Sequence, residues 1–85
     1  MTSPALDLDP VTLTEALVAI DSVNPALVPG GRGETAIAGF CAGWFRQHGF
    51  EVQWFEDTPG RPSVVGILRG GGGGGRSLML NGHID

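Results

Sequence analysis

The order of hydrophobic periods along the chain predicts an α/β fold, with two helices first and three short strands after them. Three observations carry this. Apolar residues recur at three and four up to His48, the period changes to two from Phe50, and glycine or proline clusters separate the segments. A length of 85 residues, 41% apolar with two Trp and four Phe, allows one domain at most, with a thin core.

Asp9-Pro10 opens the first helix, since Pro at the first helical position loses no hydrogen bond; Thr12 and Glu15 offer a capping box one turn later. Leu13, Ala16, Leu17 and Ile20 share a face. Ser22-Val23-Asn24-Pro25 ends the helix at about Asp21, because a residue before proline avoids the α region. A Pro/Gly loop, Ala26 to Gly33, follows, and its only charge is Arg32. In the second helix Ile37, Phe40, Cys41, Trp44, Phe45 and His48 fall at helical spacing, and Gly49-Phe50 supplies the stop. Cys41 reads as a small buried apolar residue, and His48 as a last-turn residue suited to the helix dipole.

The first strand places Phe50, Val52 and Trp54 on one side and Glu51, Gln53 and Phe55 on the other. Asp57 to Pro62 turns the chain. Ser63 to Arg69 forms a second strand and Arg76 to Gly82 a third, joined by Gly70 to Gly75; so short a connection implies an antiparallel hairpin of these last two strands.

Composition narrows the function classes. Nine acids against five scattered arginines give a net charge of -4, so no nucleic-acid partner is expected. Cys41 is the only cysteine, which excludes an internal disulfide and points to a reducing, cytoplasmic location. The first ten residues lack the basic and apolar regions of a signal peptide, and no apolar run is long enough for a membrane span. Gly70 to Ser77 reads G-x-x-x-x-G-R-S, close to a phosphate-binding loop. That loop needs a lysine and a following helix, whereas Arg76 and the strand-like Leu78-Met79-Leu80 stand here; a mobile hairpin tip is expected instead.

The segment Leu78-Met79-Leu80-Asn81-Gly82-His83-Ile84-Asp85 carries the chemistry. Side chains two apart in an extended chain share a side, so His83 and Asp85 can face one point while Ile84 turns into packing. A metal-bound imidazole whose other nitrogen is held by a carboxylate has this arrangement. The spacing alone also fits a plain hydrogen-bonded pair.

Ser-Val-Asn-Pro after a helix, Gly-Arg-Gly-Glu opening the next, His-Gly-Phe-Glu-Val entering a strand, and a terminal Leu-Asn-Gly-His-Ile-Asp occur in an order that resembles the N-terminal part of a zinc metallopeptidase family. The family includes acetylornithine deacetylase, succinyl-diaminopimelate desuccinylase, aminoacylase and glutamate carboxypeptidase. The resemblance covers the chain from about Leu13. It implies the beginning of a three-layer αβα catalytic domain, here residues 1–85, with the remainder and an inserted, often dimerising domain absent. It further implies His83 as a metal ligand and Asp85 as the catalytic aspartate orienting it, with two divalent ions, zinc or cobalt, in the complete enzyme. The implied substrates are acyl-amino acids or small peptides, cleaved at an amide bond by a metal-activated water, and a homodimer is the implied assembly. The family's remaining ligands and its Glu-Glu pair have no match here, so this fragment alone is expected to be inactive. The alternative from another class is a small α/β binding or assembly module in which His83 and Asp85 only bond to each other.

Overall fold

The computed structural model describes residues 9–85, and the start of the segment read as lacking a leader, residues 1–8, lies outside them. The architecture is α/β and incomplete: helix α1 (Pro10–Val18), helix α2 (Thr35–Gln47), then strands β1 (Glu51–Phe55) and β2 (Ser63–Ile67) in one two-stranded antiparallel sheet. α2 packs on both strands.

Asp9 caps α1. Its carboxylate accepts the Val11 N–H at 3.1 Å and the Thr12 hydroxyl at 2.6 Å, so the Asp-Pro start prevails and Thr12 serves as Asp9's donor. The helix ends at Val18, three residues before the expected Asp21. Ile20 N–H bonds to Leu17 instead of continuing the α pattern, and Asp21 turns its carboxylate to the Val23 N–H at 3.2 Å.

α2 closes as its sequence suggests. Gly49 adopts φ 83°, the Phe50 N–H reaches the Phe45 carbonyl at 2.9 Å, and the Phe45 and Phe50 rings lie 5.0 Å apart, the hydrophobic contact of a Schellman-type stop. Its buried face is Ile37, Ala38 and Ala42. Cys41 is only half-buried, in an apolar groove between the helices lined by Leu13, Leu17, Phe40, Trp44 and Phe45, and burial there pushes its thiol pKa up.

Two expectations about the strands need correction. The antiparallel hairpin consists of the first two strands, with Glu51 opposite Ile67, Val52 opposite Gly66 and Phe55 opposite Ser63. Arg76 to Gly82 forms no strand, and Leu78, Met79 and Leu80 are 85%, 73% and 87% exposed. A strand is defined by its partner, and the glycine run supplies nothing that would dock this segment on β2. β2 likewise stops at Ile67, where Glu51 is its last partner and the preceding Phe50 gives its N–H to the Phe45 carbonyl, although Arg69 still pairs its guanidinium with the Glu51 carboxylate at 2.9 Å.

A Pro-Gly turn joins the strands. Arg61 N–H bonds to Thr58 carbonyl at 2.9 Å and Gly60 takes φ 79°, as a turn with Pro at its second and Gly at its third position requires. Glu56 secures the base of this turn, accepting the Trp54 indole N–H at 2.9 Å and the Gly60 N–H at 2.8 Å.

Candidate functional site

Three loops converge where His83 and Asp85 lie. The turn at Gly60 docks on the entrance to α2, with Glu34 N–H bonding to Gly60 carbonyl at 3.2 Å, and Gly33 N–H reaches back to Val23 carbonyl at 3.0 Å. Gly33 is required for this fit. It sits at φ 74°, and a Cβ there would come 2.4 Å from the Gly60 oxygen.

Glu34 is 5% exposed, yet its carboxylate makes no cap on its own helix. Arg61 Nε instead donates to both of its oxygens at 2.8 Å, an ion pair that neutralises the buried charge and ties the β1–β2 turn to α2. Glu34 also raises the Arg61 pKa further, with Asp85 adding to the effect. In the sequence Glu34 stands in a helix-opening motif, and nothing local marks Arg61. Two opposite charges separated by 27 residues offer no local signal of their pairing.

Asp85 joins this cluster from the far end of the chain. Asn24 Nδ2–H donates to Asp85 Oδ2 at 3.1 Å, and His83 Nδ1 lies 3.5 Å from Asp85 Oδ1. The Asn24 hydrogen bond, aided by nearby His83 and opposed by burial, holds the Asp85 carboxyl pKa below its ordinary value. Exposure does not alternate here as a strand would have it: the His83 side chain is 94% exposed, the Asp85 side chain 27%, and Ile84 between them is half-buried. With Nδ1 turned toward Asp85, Nε2 is the ring nitrogen left for a ligand.

His48 lies elsewhere. Its ring stacks on Trp44 with centroids 4.1 Å apart, and Nδ1 donates to the Trp44 carbonyl at 2.8 Å, the geometry of a residue closing α2. Among the described residues no group of three or more His, Cys, Asp or Glu is placed to hold a metal ion. A zinc site takes at least three protein ligands. The described residues therefore do not make up a whole zinc site. The glycine run, Gly70 to Gly75, is exposed and no helix follows it, so the context of a phosphate loop is missing. Among the described residues no helix is long and apolar enough to cross a membrane.

The chain is similar to the N-formyl-4-amino-5-aminomethyl-2-methylpyrimidine deformylase of Bacillus subtilis (strain 168), with 36% identity over 58 residues, which is 67% of this chain and 14% of that protein. It thus spans about a seventh of the length of the curated relative it matches. No protein-family model matches the chain, and no solved structure matches it. The similarity supports a hydrolase, and at this coarse level it agrees with the sequence reading.

Proposed function

We propose that this chain forms the N-terminal part of the catalytic domain of a metal-dependent hydrolase that cleaves amide bonds in small N-acylated molecules. The observation that carries the reading is the similarity to a deformylase, an enzyme whose name describes removal of a formyl group from nitrogen. Formamides, N-acetyl amino acids and small peptides share the bond concerned, and they are the substrate class of this reading.

His83 and Asp85 have the relation that such chemistry uses. An imidazole with one nitrogen facing a carboxylate presents the other, in a fixed orientation, to an ion. When bound, two divalent ions, zinc or cobalt, supply an activated water and polarise the scissile carbonyl. This chain contributes one ligand and its orienting acid, while the other ligands and the general base come from the rest of the enzyme. The 14% coverage of the relative supports a larger whole.

The test uses the whole protein and residues 1–85 side by side, with N-formyl and N-acetyl amines and dipeptides as substrates. The whole protein should turn over members of this class, lose activity to a chelator and regain it with zinc or cobalt; residues 1–85 should be inactive. His83→Ala should lose metal and activity together. Asp85→Ala should keep much of the metal and lose turnover by about 10 to 100-fold. Metal-dependent turnover by residues 1–85 alone, or full metal content and rate in His83→Ala, would overturn the reading.

A further inference from the structure

We propose that Asn24 is a positioning residue that acts through Asp85 to fix the orientation and tautomer of His83. The inference rests on the proposed role of His83 as a ligand, but the geometry behind it is independent of any metal.

Asn24 is built to point one way. Its Oδ1 accepts the Ala26 N–H at 2.8 Å, which fixes the amide orientation and leaves Nδ2 as the group facing Asp85. Its carbonyl accepts the N–H groups of Leu27 at 3.1 Å and Val28 at 2.9 Å, and Pro25 holds its backbone out of the α region. Gly31 closes over this bend so tightly that a Cβ would come 2.6 Å from the Val23 oxygen. The loop's own hydrogen bonds therefore set the direction of the side-chain amide.

That amide spans 61 residues of sequence to reach Asp85 Oδ2, leaving Oδ1 for His83. An Asp carboxylate at the end of an extended segment can rotate and offer either oxygen to many partners. Anchoring Oδ2 removes that freedom. With Oδ1 presented to Nδ1, the proton of a neutral His83 resides on Nδ1, and Nε2 keeps its lone pair for an ion. Arg61, already paired with Glu34, adds a cation whose field also favours the Asp85 carboxylate.

The test reads the tautomer directly by long-range proton–nitrogen NMR correlation of the metal-free whole protein with labelled histidine, at a pH where His83 and His48 are neutral. Wild type should show His83 protonated on Nδ1. Asn24→Asp keeps an oxygen to accept the Ala26 N–H but replaces the donor with a carboxylate oxygen facing Asp85, so His83 should lose its Nδ1–H preference. Asn24→Ser, which also keeps a turn acceptor but is too short to reach Asp85, should do the same. His48, bonded to the Trp44 carbonyl, should keep its signals and certify that the fold is intact.

An unchanged His83 tautomer in both variants, with His48 intact, overturns the proposal. So does a wild-type His83 without a preferred tautomer. In the whole protein Asn24→Asp should lower turnover by about tenfold, the lower bound for loss of an outer partner. Lost tautomer preference with full turnover would instead leave Asn24 as the positioning residue and overturn the role of His83 in catalysis, so the two failures are distinct.

Discussion

Phe45 lies across β2 at Gly66, where an added Cβ would meet the ring at 2.5 Å. The register puts Val52, Trp54 and Val64 on that same face, so this one glycine sets how closely α2 approaches the sheet. Gly66→Ala should destabilise the chain by about 1 to 3 kcal/mol, the usual cost of overpacking, read from the midpoint of denaturant unfolding. Phe45→Leu in the same background should restore part of the loss, and an unchanged midpoint in Gly66→Ala would refute the contact. The signal was present in the sequence, because glycine inside a strand often marks close backbone approach. Other residues at the site gave no such sign. The spacing of two lets His83 and Asp85 face each other, and the structure puts His83 Nδ1 3.5 Å from Asp85 Oδ1. Asn24 was legible only as the end of a helix, since nothing local shows that its amide meets a carboxylate 61 residues away.

The helices were more legible than the sheet, for a physical reason. Capping and helix stops are local, so Asp9-Pro10 and Gly49-Phe50 marked the beginning of α1 and the end of α2 correctly. Strand pairing depends on distant partners, and the hairpin that the glycine run suggests for the last two strands forms between the first two. α1 has no buried residue, so it depends on its cap more than α2 does. The Thr12 hydroxyl and the Val11 N–H lower the Asp9 pKa below its ordinary 3.8. The stabilisation is therefore fully present above that ordinary value and is lost as pH falls through the depressed folded-state value. On acidification below about pH 4, α1 should lose helicity before α2 does, as residue-resolved NMR chemical shifts would show. Asp9→Ala should weaken α1 already at neutral pH and remove its separate acid transition. Equal melting of the two helices with acid would contradict this dependence on Asp9.

At the scale of the molecule, apolar surface exceeds what the described residues cover. Among the described residues only Ile37, Ala38 and Ala42 form the buried hydrophobic core, while Leu68 is 63% exposed and Leu80 87%. A two-stranded sheet with one helix layered on it is marginal in water, and both of its edges offer unpaired backbone groups. Arg76 to Gly82 adds a further apolar segment without a strand partner. The chain on its own should therefore self-associate. Sedimentation velocity should show species larger than the monomer increasing with concentration over the micromolar range, and thermal unfolding should be broad. Replacing Leu78 and Leu80 with Ser should reduce association without changing the β1–β2 register, because neither residue takes part in that pairing. The same substitutions in the whole protein should instead be destabilising, if the rest of the catalytic domain covers this segment as the proposed function requires. A monomer with a sharp, cooperative transition at high micromolar concentration would show that the described residues suffice for a stable domain. It would count against the hydrolase-domain reading and favour a self-contained α/β module.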